Sequence, residues 1–203
     1  GEPGAGKSTT LQFVGLCFAQ GGWARERLGL EEDRVPILLD LKRYSGLLSG
    51  PGPALEEASA KEVAQCLRDE GEALELVRKL REEGRLLLLL DGLDEVPEGE
   101  RPGVREEIAD FARSPSGRKC RILVASRLVG YAPLGGGFRE FVLKPFQDPK
   151  EALPYLKNWL AALRPGWKDE AEARAEALLA EMERHPPLRR VLDNPLLLRL
   201  MAE

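Results

Sequence analysis

Gly1 to Ser8 read GEPGAGKS, a full match to the spacing G-x-x-x-x-G-K-[ST]. Each residue type in that pattern answers a chemical need. Glycines let successive backbone N–H groups turn toward one point and cradle phosphate oxygens, and the start of a following helix adds its positive end. Lys7 supplies a mobile cation to the β- and γ-phosphates of a nucleotide, and the Ser8 hydroxyl is a ligand for Mg²⁺. The candidate phosphate-binding residues are therefore Gly1, Glu2, Pro3, Gly4, Ala5, Gly6, Lys7, Ser8 and Thr9. The plainer alternative is a glycine-rich turn that opens a helix. A chain of this composition would produce roughly 0.004 such matches by accident, which favours the phosphate loop.

A second cluster lies at Leu86 to Val96, LLLLLDGLDEV. A buried strand ending in Asp91 places a carboxylate at the carboxyl edge of a sheet, where open α/β folds bind ligands. From there Asp91 can hold Mg²⁺ opposite Ser8, directly or through water. Asp94 and Glu95 follow within one turn and are candidates to orient or deprotonate an attacking water, with Gly92 keeping the turn small. Spacing alone does not choose between these two neighbours. Read in isolation, the segment is equally a strand followed by a solvated acidic turn; beside a phosphate loop, the chemical reading is favoured.

Both clusters need a scaffold, and the apolar runs predict one. Val35 to Leu41, Leu86 to Leu90 and Ile122 to Ala125 are strand-length, and the last two are uninterrupted, as in strands buried on both faces of a parallel sheet. A weaker fourth strand is predicted at Glu140 to Lys144. Between the runs, Leu11, Val14, Gly15 and Phe18 follow helical spacing, Ala54 to Arg81 reads as two helices broken at Gly71, and Val104 to Arg113 as another. Strands alternating with helices mean an α/β fold with right-handed crossovers. After Phe146 the pattern turns helical: Lys150 to Leu163, a Pro165-Gly166 break, Lys168 to Glu183, a segment through Pro186 and Pro187, then a helix that Pro195 begins. This predicts a nucleotide-binding domain over residues 1–147 and a helical subdomain from 148 to 203. The strand that would lead into the phosphate loop is expected upstream of Gly1, in a longer protein of which this is a fragment.

Together these residues resemble the NACHT family of signal-transducing P-loop ATPases, the STAND class. DGLDE at Asp91 to Glu95 resembles the family's Walker B strand, with its small residue after the first acid and two further acids beyond. PILLDLKRY (Pro36 to Tyr44) is similar to its second strand with a trailing arginine and aromatic. CRILVASR (Cys120 to Arg127) is similar to its sensor strand. Leu143 to Trp159 resembles the junction into the helical subdomain, and Asn194-Pro195-Leu196-Leu197 the proline-bearing helix that covers the adenine. The resemblance implies a P-loop NTPase parallel sheet flanked by helices. It also implies that Ser8 and Asp91 hold Mg²⁺, Asp94 with Glu95 positions the hydrolytic water, Arg127 senses the γ-phosphate and Pro195 packs on the base of ATP or ADP. The family's winged-helix region is expected beyond Glu203, with effector and sensor domains outside the chain. His185 is not assigned to the nucleotide; a surface packing or capping role fits it better.

The implied function is an ATP-binding, slowly hydrolysing switch in a larger signalling or defence protein, its nucleotide state gating self-oligomerisation. One alternative is a P-loop small-molecule kinase, whose acceptor lid would draw on Arg113, Arg118, Arg121 and Arg127. Another is an interaction module that has lost hydrolysis, which the intact Asp91, Asp94 and Glu95 argue against. The chain has 203 residues, is 43% hydrophobic and carries a net charge of −4, which fits a folded domain and excludes a strongly basic nucleic-acid binder. Its longest apolar run, Phe13 to Ala19, is far short of the ~20 residues of a membrane span. Three scattered cysteines, Cys17, Cys66 and Cys120, make no disulfide framework and fit a reducing cytoplasmic setting.

Overall fold

The computed structural model describes residues 3–50, 52–128, 131–135, 137–144, 146, 148–185, 188, 191 and 194–202. Gly1, Glu2, Pro186, Pro187 and Glu203, all named in the sequence reading, lie outside the described residues. The chain divides into two compact units, Lys7–Glu140 and a second made of Gly1–Gly6 with Phe141–Glu203.

The first unit is built on a three-stranded parallel sheet in the order β1 (Val35–Asp40), β2 (Leu86–Asp91), β3 (Arg121–Val124). The three strongest apolar runs become these three strands. Parallel neighbours require long crossovers. Helices α4 (Ala54–Leu67) and α5 (Glu70–Glu83) provide the one from β1 to β2, and α6 (Arg101–Arg113) the one from β2 to β3. Side chains alternate across β2. Leu86, Leu88 and Leu90 join a core with Ile37, Leu39, Val77 and Ile108, while Leu87 and Leu89 face Leu11 and Ala125 on the other side. That second face is covered by α1 (Lys7–Ala19), and Gly15 permits the close approach: a β-carbon there would sit 3.0 Å from Leu89 Cδ1.

Local expectations fail where chemistry outside the apolar pattern decides. The break in Ala54 to Arg81 falls at Arg68 and Asp69, and Gly71 lies inside α5. Asp69 accepts the Glu72 N–H at 3.0 Å and starts a new helix, and Arg68 ends the old one with φ at +63°. An N-cap is worth ~1 kcal/mol, about what one glycine costs a helix interior, so the cap sets the boundary. Two short helices, α2 (Trp23–Leu28) and α3 (Ser45–Leu48), hold too few turns to show a period. The predicted fourth strand is absent: 140–144 has no regular structure, and Phe141 is 86% exposed. A strand needs a neighbour to hydrogen-bond, and none of the described residues provides one. Among the described residues β3 pairs only with β2.

The second unit carries α7 (Pro149–Leu163), a 3-10 turn at Pro165–Trp167, α8 (Ala171–Arg184) and α9 (Pro195–Ala202). Ala152, Leu156 and Leu160 from α7 recur every four residues, as do Ala171, Ala175 and Leu179 from α8, and these stripes make the core with Met182 and Leu198. The Asp148 carboxylate caps α7 by accepting the Lys150 N–H at 2.7 Å. His185 lies at the surface, 2.9 Å from Glu181, as the sequence reading expected. Among the described residues no helix is long and apolar enough to cross a membrane.

At the amino ends of the strands, Glu32 binds Arg121 (2.7 Å) and also pairs with Arg34, whose guanidinium donates to the carbonyls of Gly84 (2.6 Å) and Lys119 (3.0 Å). The hydrogen bond from Arg121, then that from Arg34, lowers the Glu32 carboxyl from 4.5 to about 2. A depressed folded-state value adds stability that is complete above pH ~4.5 and disappears as pH falls toward 2. Glu32 is about a third exposed, so solvent screening limits its contribution to ~1 kcal/mol. Glu32→Gln should therefore unfold at lower urea concentration than the parent at pH 7, with the gap closing between pH 4.5 and pH 2 in paired titrations. A gap independent of pH would exclude the ion-pair origin.

Candidate nucleotide site

Pro3 to Gly6 make a turn that runs straight into α1. Gly4 and Gly6 hold φ at +76° and +85°, left-handed values that point neighbouring N–H groups the same way. Gly4 is required twice, because a β-carbon there would also lie 2.4 Å from Asn194 Oδ1. Lys7, Ser8 and Thr9 form the first turn of α1, where the helix dipole favours anions; Ser8 and Thr9 are exposed and Lys7 is half-buried.

Asp40 and Asp91 close β1 and β2 opposite one another in register. Their roles separate. Asp40 Oδ1 accepts the backbone N–H groups of Lys42 (2.9 Å) and Arg43 (3.4 Å), so it shapes its own turn. Arg43 and Tyr44, the residues trailing that strand, turn to Glu62 on α4, at 3.4 and 2.7 Å. Asp91 ends the buried strand half-exposed, before Gly92 at φ +77° reverses the chain. The turn is tied to the sheet by Ala125 N–H to Leu90 O (2.8 Å) and Leu93 N–H to Ala125 O (3.1 Å).

That tie brings Arg127, three residues past β3, onto the acidic turn. The Arg127 backbone N–H donates to Asp94 Oδ1 (2.8 Å), its Nε lies 3.0 Å from Asp94 Oδ2, and its other guanidinium arm is 3.8 Å from Glu95. Asp94 is only 14% exposed, whereas Glu95 and Arg127 are about half-exposed. So Asp94 is the gripped neighbour and Glu95 the looser one. Arg101, on the first turn of α6, holds the same turn from behind by donating to the carbonyls of Asp94 (3.0 Å) and Val96 (2.9 Å). The sequence reading missed Arg101, since a side chain that binds carbonyls carries no motif.

Sequence reasoning also passed over Asn194. Its Oδ1 accepts the N–H of Leu196 (3.0 Å) and Leu197 (3.4 Å) as the N-cap of α9, and its Nδ2 donates to Pro3 O at 2.9 Å. Pro195 starts α9 as expected, and its carbonyl accepts a hydrogen bond from Tyr155 of α7 at 3.0 Å. Burial pushes the Tyr155 phenol above its ordinary range.

Among the described residues no group of three His, Cys, Asp or Glu side chains gathers to form a metal cage. Magnesium needs none: it is typically held by one or two carboxylates with substrate phosphates and water. One hydroxyl at Ser8 and one carboxylate at Asp91 are donors of that kind.

A family model of the NACHT domain matches residues 1–162. No curated protein and no solved structure gives a significant match. The parallel order β1-β2-β3, the glycine turn opening α1 and the acidic turn after β2 are what a P-loop NTPase requires. The chain belongs to the NACHT domain family of nucleotide-binding P-loop NTPases.

Proposed function

We propose that the chain is the ATP-driven switch of a larger signalling or defence protein, hydrolysing slowly and using nucleotide state to gate self-association. The single observation that carries this reading is the placement of Arg127 on both carboxylate oxygens of Asp94. A γ-phosphate brings more negative charge than one carboxylate and competes for the same guanidinium. ATP then draws Arg127 away and leaves Asp94 to orient water, with Glu95 as its neighbour; ADP has no γ-phosphate and leaves the pair in place. A ligand shifts a conformational equilibrium only through such differential contacts.

In this reading the amides of the phosphate loop and Lys7 grip the phosphates, Pro195 packs by the adenine, and Ser8 and Asp91 hold Mg²⁺. The cation neutralises charge on the β- and γ-phosphates. A nucleotide-binding part over 1–147 and a helical part from 148 divide the work between binding and readout. The kinase alternative has less support: Arg113 pairs with Asp110 and Arg121 with Glu32, so neither is placed for an acceptor.

Removing the Lys7 ammonium should weaken ATP binding at least about tenfold, since charged hydrogen bonds contribute roughly 1.5–3 kcal/mol. Calorimetric titration of Lys7→Ala checks this, and parental affinity would sink the phosphate-loop assignment. Asp91→Asn should weaken Mg²⁺-dependent binding and hydrolysis together. Asp94→Asn should slow single-turnover hydrolysis without weakening ATP binding, because orienting water matters only on the way to the transition state. Parental rates in both Asp94→Asn and Glu95→Gln would remove the acidic turn from the mechanism. Arg127→Ala tests the switch itself: the ratio of ATP to ADP affinity should fall toward one, and a retained preference would place γ-phosphate sensing elsewhere.

A further inference from the structure

We infer that Asn194 is a positioning residue that couples the phosphate loop to the last helix of the same compact unit. The inference rests on the nucleotide reading of that loop and adds to it a residue that converts occupancy into a signal. Both ends of one amide are used. Oδ1 caps α9 at Leu196 and Leu197, and Nδ2 donates to Pro3 O across 191 positions of sequence. The hydrogen-bond partners fix the amide's orientation, because N–H donors face one end and a carbonyl the other. Gly4 is shaped to this contact, since any β-carbon there would overlap the amide.

Few side chains can do both jobs. Aspartate caps a helix as well as asparagine but has no N–H to donate. Serine also caps but is too short to reach a second segment. Glutamine keeps the donor but is a poor N-cap. An asparagine here therefore does more than a generic cap requires. The consequence is mechanical. When phosphate oxygens draw in the loop amides, Pro3 O and Asn194 move together, and the first turn of α9 is ordered with them. Tyr155 holds the same turn through Pro195 O, so the change passes on to α7. Coupling is reciprocal: if nucleotide orders α9, a partner that orders α9 must tighten nucleotide binding.

The test uses amide hydrogen exchange on the whole chain, comparing the parent with Asn194→Asp and Asn194→Ser. Both substitutions keep the helix cap, and only the first adds a charge. Without nucleotide, the amides of Ala5 to Lys7 should exchange at least about fivefold faster in both variants, while those of Leu198 to Leu200 stay at the parental rate. With MgATP, the parent should gain protection at Leu198 to Leu200 and both variants should lose that gain and bind about tenfold more weakly. Parental loop exchange in Asn194→Ser overturns the inference. So does weakened binding confined to Asn194→Asp, which would report charge repulsion alone. If the parent does not bind ATP, the nucleotide reading falls, and the exchange of the loop without nucleotide still decides whether the clasp exists.

Discussion

Everything in the first unit depends on β2 being buried from both sides. None of its five leucines, Leu86 to Leu90, is more than 2% exposed. At roughly 1.5–3 kcal/mol for each fully buried side chain, this strand sets where the sheet lies. A strand covered on both faces has no room for polar chemistry along its length, so charged groups collect at its ends. Because the strands run parallel, their carboxyl ends share one edge. Glu32, Arg34 and Arg121 gather at the amino edge and secure the fold. Asp91, Asp94, Glu95 and Arg127 gather at the other, where the chain must turn and where ligands of α/β folds bind.

The same burial explains what the sequence made legible. Uninterrupted apolar runs such as LLLLL can hardly be anything but interior strands or helix cores, and their length decided for strands. The glycine turn was legible because Gly1, Gly6, Lys7 and Ser8 stand at the fixed spacing that phosphate chemistry demands. The clustering of Asp94, Glu95 and Arg127 was legible only through resemblance, since the arginine lies 33 positions from Asp94 and strand pairing brings them together. Residues with non-local partners stayed hidden. Arg101 binds carbonyls, which every residue has, and the Asn194 contact reaches Pro3 across 191 positions of sequence. The segment 140–144 has strand composition but no ladder partner among the described residues, and composition cannot report a missing neighbour. Gly71 misled for the converse reason: an aspartate cap two residues earlier offsets its cost and lets it sit inside the helix.

Two arginines on one acidic turn show how the same side chain serves opposite ends. Arg101 donates to two backbone carbonyls, Asp94 O and Val96 O. Those acceptors are neutral, and a phosphate nearby does nothing to change their number or place. This arginine fixes the turn whatever is bound. Arg127 is about half-exposed and binds a carboxylate that is nearly covered. An ion pair with one half-exposed partner contributes on the order of 1 kcal/mol. The backbone bond from Arg127 N–H to Asp94 Oδ1 holds the carboxylate independently of the side-chain pair. The switch proposed above rests on that combination: a carboxylate held in place by main chain, and a half-exposed cation paired to it by its side chain.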